Sequence, residues 1–131
     1  MPVKQVLLSR VDPWLPPIAL MGLIFFLSAQ PDLNSGLGVI DLIGRKLIHA
    51  GEYALLCYLW WRALREVMPP RRAPLAALAI AVAYSCTDEF HQTFVHGRHG
   101  TPVDVLIDAV GAVSVTIALL RRQASPAGVR R

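Results

Sequence analysis

Charge is scarce in this chain. Charged residues make up 17% of its 131 positions, against about a quarter in an ordinary soluble domain. With 54% hydrophobic residues and a mean hydropathy of +0.46, that shortage excludes a conventional soluble globular domain. Cysteine is scarcer still. Cys57 and Cys86 are the full complement, both inside apolar segments, so they read as small buried side chains, and neither a disulfide framework nor a cysteine-based metal pair is expected. Internal repeats are absent. Basic residues outnumber acidic ones, 13 to 9, and the pI is near 9.6. The basic residues nevertheless stand between and after apolar segments without interleaved aromatic or glycine motifs, which excludes a nucleic-acid surface. What is left is a membrane protein, a single domain over residues 1–131.

What the chain does have is apolar runs separated by basic turns. Lys4 and Arg10 lead into Pro13, which suits a short cytoplasmic lead before a first span over roughly 14–29. Pro16 and Pro17 fall in its first turn, where missing N–H donors do least harm. A cleaved signal peptide is the competing reading, since Leu27-Ser28-Ala29 before Gln30 loosely resembles a cleavage site; the later apolar segments already commit the chain to the bilayer. Pro31 to Gly44 is rich in turn residues and reads as a loop. A second span, roughly 46–61, is close to the lower limit of about 17 residues for a spanning helix. Trp60 and Trp61 would sit at its far interface as aromatic anchors. The connector with Pro69, Pro70, Arg71 and Arg72 leads to Pro74, which opens a third span, roughly 74–94. A fourth, roughly 103–120, is closed by Arg121 and Arg122, and residues 123–131 form a basic tail.

Four spans put the amino-terminal lead, the middle connector and the carboxyl tail on one side. All 13 basic residues lie there except Arg45, Lys46 and Arg98. The positive-inside rule then places both termini of a multi-pass membrane protein in the cytoplasm. Under that orientation the second span begins outside with His49, the third ends outside after Asp88, and the fourth begins outside with Asp104 and Asp108. The intramembrane polar groups therefore gather in the outward half, at similar depths.

Three constellations carry chemistry. Lys46, His49 and Tyr53 follow three- and four-residue spacing, one stripe, with Glu52 beside it. His49 can serve as a general base or metal ligand oriented by Tyr53 or Glu52, or the stripe can simply join helices. Lys46 either snorkels to the head groups or contacts a lipid phosphate. On the third span Tyr84, Asp88, His91 and Gln92 share a face, with Glu89 at its edge. Ionisable residues there suit a metal site, an acid/base pair or a cation path, against a structural hydrogen-bond cluster. His96 and His99 read as loop histidines with no spacing that demands a metal. Arg98 is an interfacial arginine or an anion clamp, its planar fork matching phosphate or carboxylate. On the fourth span Asp104, Asp108, Gly111 and Val115 form a stripe. Gly111 permits close helix approach, and two carboxylates four residues apart repel unless one is protonated, paired or metal-bound. Asp104 is also explained as a helix N-terminal charge.

Taken together, these residues resemble the VanZ-like family of small bacterial membrane proteins. The first span ends Phe26-Leu27-Ser28-Ala29-Gln30-Pro31, similar to the family's Ser-small-Gln-Pro ending, and Lys46-x2-His49-x3-Tyr53 matches its second motif. Asp88-Glu89-x-His91-Gln92-x-Phe94-x-x-Gly97-Arg98 is the most specific match, followed by Asp104 and Gly111 in the pattern Asp-x3-Asn-x2-Gly. Arg45 stands where the family usually has an acid, His96 replaces a common proline, and Asp108 occupies the usual asparagine position. The resemblance implies an association with resistance to teicoplanin-type glycopeptides, whose target lies outside the cytoplasmic membrane. It supplies no reaction.

The expectation is an all-α bundle of four transmembrane helices with one polar pocket opening outward. It is built from Lys46, His49, Glu52, Tyr53, Asp88, Glu89, His91, Gln92, Arg98, Asp104 and Asp108. The leading role is engagement of an anionic membrane lipid or lipid-linked cell-wall precursor at the outer leaflet, with Arg98 and Lys46 on the head group. The alternatives are a metal-assisted or acid/base head-group hydrolase or transferase using His49, Asp88 and Asp104, a proton- or ion-coupled carrier that would oligomerise, and a packing or assembly protein. The sequence names no cofactor and no metal.

Overall fold

The computed structural model describes residues 3–30, 38–95, 97 and 100–125. Arg98, His96 and His99, on which part of the sequence reading falls, lie outside the described residues, as do positions 31–37 and 126–131. The described residues hold five helices and no strand: α1 Val3–Val11, α2 Leu15–Ser28, α3 Val39–Leu64, α4 Arg72–Gln92 and α5 Pro102–Ala124.

Each helix follows from local chemistry. Pro16 and Pro17 sit in the first turn of α2, where the helix needs no internal N–H donors. Thr101 caps α5 by accepting from the Asp104 backbone N–H, and its hydroxyl donates to Asp104 Oδ2 at 2.8 Å. The Thr101 hydroxyl therefore ties both the backbone and the carboxylate of Asp104 to the start of the helix. Two departures from expectation have clear causes. The lead into the first span is itself a helix, α1, with no buried residue, and it meets α2 at a bend of 52°. The stretch expected as a second span lies in a helix that starts at Val39, not near Lys46, because Gly38, at φ +60°, turns the chain into it. Asp41 then bonds Arg45 one turn later at 2.7 Å. The turn-rich stretch therefore ends at Gly38, and Gly44 is helical.

α2 to α5 alternate in direction. At one end Trp14 meets Trp60 edge-on, and Gln123 donates to the Pro70 carbonyl. At the other, Lys46 of α3 bonds Asp104 of α5, and Gln92 of α4 bonds Ser28 of α2. α3, α4 and α5 pack on one another, and α2 leans on α3 and α4. One core cluster joins Cys57, Ala77, Ala81 and Ala112; another joins Ile24, Tyr53 and Leu56. Trp60 packs against both clusters and so belongs to the core. Trp61 lies under the Arg65 guanidinium, 4.9 Å from its ring centroid. Cys57 is buried as expected, but Cys86 is exposed; it is next to Ser85, and one residue along a helix turns a side chain about 100° away.

Among the described residues one helix, α5, is long and apolar enough to cross a membrane, and α1 with α2 would count as a second if the bent pair is one span. α3 is longer, about 39 Å at 1.5 Å per residue, but it carries Asp41, Arg45, Lys46, Glu52 and Arg62.

Candidate polar cavity

Polar side chains converge because the small-residue row of α4 changes character. Ala73, Ala77 and Ala81 are buried at one end of α4, and the same row continues into Ser85 and Glu89. Small residues let neighbouring helices close in. Asp88 and Gln92 fill the rest of that buried face. From α5, Gly111 lies so close to the Ala50 carbonyl of α3 that a Cβ there would collide with it. This contact holds the α3 stripe against Asp104 and Asp108.

The result is a cavity of about 190 Å³ lined by Arg45, Lys46, His49, Glu89, Gln92, Asp104 and Asp108, together with Leu42, Gly97 and Ile107. At its rim Lys46 Nζ lies 2.8 Å from Asp104 Oδ1, each side chain about one-third exposed. Deeper in, Ser85 Oγ donates to Asp108 Oδ2 at 2.8 Å, and His49 Nδ1 lies 3.7 Å from Asp108 Oδ1. Asp108 is fully buried. A turn further along α3, Tyr53 donates to Asp88 Oδ2 at 3.1 Å. Tyr84 donates to the Met21 carbonyl of α2. Asp88 Oδ1, Glu89 Oε2 and Asp108 Oδ1 are buried without a hydrogen-bond partner among the described residues. One atom each of His49, Glu89 and Asp108 lie within 4.8 Å of one another.

Lys46, His49, Glu89, Gln92, Asp104 and Asp108 thus meet in one cavity. Tyr53 and Asp88 pair outside its lining. Glu52 lines a second cavity, of about 300 Å³, between α2 and α3, where Ser28 and Asp41 are neighbours and Arg45 and His49 are shared with the first. His91 turns away and stacks on Phe25 of α2, ring centroids 4.4 Å apart at 19°. At about 100° per residue, the buried face of this part of α4 centres between Ser85, Asp88 and Gln92; Glu89 lies within it and His91 falls outside. Glu89, expected at the edge, is 5% exposed.

A family model described as VanZ/LLP1 matches residues 13–121. The chain belongs to that family. No curated protein and no solved structure matches it. In this VanZ/LLP1 chain the family-like motifs are therefore brought together in space: Ser28 with Gln92, Lys46 with Asp104, and Tyr53 with Asp88. Two residues without a place in those motifs also serve the site. Ser85 could have been found one turn before Asp88 and Glu89. Thr101 was legible from Thr101-Pro102-x-Asp104, a capping sequence.

Proposed function

We propose that this VanZ/LLP1 protein spans the bacterial cytoplasmic membrane with four helices, α2 to α5, both termini inside. Its polar cavity takes the anionic head group of a membrane lipid or lipid-linked cell-wall precursor at the outer leaflet. The observation that supports this is a charged cavity between helices whose outer faces are apolar. Leu47, Ile48, Val103, Leu106 and Val110 are exposed on the helices that bound it, and exposed apolar surface around a polar pocket suits a ligand with a polar head and a lipid tail. Lys46 and Arg45 lie on the lining, each already bonded to a carboxylate. A phosphate entering between Lys46 and Asp104 exchanges one anion for another at the ammonium, and the displaced Asp104 carboxylate keeps the Thr101 hydroxyl as its donor. Arg98, which ends the Asp88–Arg98 motif in sequence, is the third basic residue of this reading. Through such a precursor the protein lowers sensitivity to teicoplanin-type glycopeptides.

The test uses purified protein in mild detergent, titrated with polyprenyl phosphate, phosphatidylglycerol and phosphatidylethanolamine, with bound lipid read by native mass spectrometry. Wild type is expected to retain the two anionic lipids about tenfold more strongly than Lys46→Met or Arg98→Ala variants, and to discriminate against phosphatidylethanolamine. Equal retention by all three proteins would remove this reading.

A further inference from the structure

The cavity has more buried carboxylate oxygen than its own cations satisfy. Glu89 and Asp108 are 5% and 0% exposed, each with one oxygen that has no hydrogen-bond partner among the described residues. The cation that faces Asp104, Lys46, is at the rim, and the imidazole nearest Asp108 stands 3.7 Å away, beyond hydrogen-bond reach. Charges this deep are costly unless paired or coordinating a metal.

We propose that His49, Glu89 and Asp108 bind a single divalent cation of the zinc or manganese class. The proposal goes beyond the head-group reading and does not require it. One imidazole nitrogen and two carboxylate oxygens form a nitrogen/oxygen donor set suited to those metals and poor for the oxygen-only preferences of calcium or magnesium. The three donor atoms lie within 4.8 Å of one another. Tetrahedral bonds of about 2.1 Å place ligand atoms about 3.4 Å apart, so rotamer adjustments of about an ångström complete the site. Ser85 holds Asp108 by Oδ2, leaving Oδ1 for the ion, and an outer partner of this kind orients a metal-binding carboxylate. Glu89 offers Oε2, buried without a hydrogen-bond partner among the described residues. The remaining coordination position faces a cavity of about 190 Å³, room for water or for an oxygen of a bound molecule.

The proposal is tested on the full chain in detergent, stripped with chelator, equilibrated with zinc chloride or manganese chloride alone, and assayed by elemental analysis. Wild type is expected to bind one of these metals stoichiometrically. His49→Ala and Glu89→Gln should weaken binding about tenfold or more, whereas Asp104→Asn should hold it within about twofold. Added metal should also raise the thermal midpoint of wild type but not of Glu89→Gln, because only a folded state with the site gains from the ligand. Circular dichroism identifies any variant that fails to fold, and Glu89→Gln, which keeps size and shape, then carries the comparison. The proposal is overturned if wild type takes up no more metal than Glu89→Gln, the outcome expected where protons rather than an ion neutralise the carboxylates. It is overturned as well if Asp104→Asn loses metal as fully as Glu89→Gln. Lipid titration on the same samples separates the two ideas: metal uptake without lipid retention leaves the ion site and removes the head-group reading, and the reverse result does the opposite.

Discussion

Ser85 and Asp108 show how much a single hydroxyl carries. The Ser85 Oγ is the donor 2.8 Å from a fully buried carboxylate, so Ser85→Ala leaves Asp108 Oδ2 without its donor at a cost of about 1–3 kcal/mol. A lower thermal midpoint in detergent is expected, and an unchanged one would mean that the carboxylate does not depend on Ser85. Lys46 and Asp104 should behave differently. Both side chains are about one-third exposed, so a double-mutant cycle with Lys46→Met and Asp104→Asn should return a coupling of only about 0.2–1 kcal/mol. A coupling of several kcal/mol would show a pair far more desolvated than this geometry allows. At this scale part of the cavity lining was legible: Lys46 and His49 share a stripe by spacing alone, as do Asp104 and Asp108. His91 was misplaced because spacing identifies neighbours on a helix without saying where the buried face is centred, which depends on Ala81 and Ser85 meeting α3 and α5.

Gly111 and Gly51 separate two uses of the same residue within helices. A Cβ on Gly111 would strike the Ala50 carbonyl, whereas one on Gly51 meets nothing within 4 Å. Gly111→Ala must therefore push α5 from α3 and is expected to destabilise the protein by about 1–3 kcal/mol. Gly51→Ala should be neutral or stabilise by up to about 1 kcal/mol through helix propensity. Thermal unfolding of the two variants side by side checks the contrast, and equal effects would contradict the close α3–α5 approach. The sequence pointed to Gly111 because it stands on the Asp104–Asp108 face one turn on. It did not reveal where α3 begins. Gly36, Gly38 and Gly44 look alike as turn signals, and only the Asp41–Arg45 pair marks the last of them as helical. Nor does composition announce α1, whose residues bury nothing.

For the molecule as a whole, the up-down course of α2 to α5 is the property that gathers the site at one end, and the succession of four apolar runs foreshadowed it. Lys46 reaches Asp104 and Gln92 reaches Ser28 only because α3 and α5 start where α2 and α4 finish. Hydropathy is a poorer guide here, since the charges that α3 and α4 carry face each other inside the bundle and lower their apparent apolarity. Arg45, Asp104 and Asp108 are all partly or fully turned inward, the placement that the proposed spanning bundle requires of its charges. Fusions to a folded reporter test this orientation. Green fluorescent protein joined after Pro70 or after Ser125 should fluoresce in the cytoplasm, while alkaline phosphatase joined after Gly38 or after Gly100 should be active outside. If the Gly38 and Gly100 fusions are instead silent for phosphatase and bright for fluorescence, α3 and α4 do not cross, and the cavity cannot open to an outer leaflet. The head-group reading would then fall with the topology, whereas the His49–Glu89–Asp108 cluster, which depends only on the packing of α3, α4 and α5, would remain to be filled.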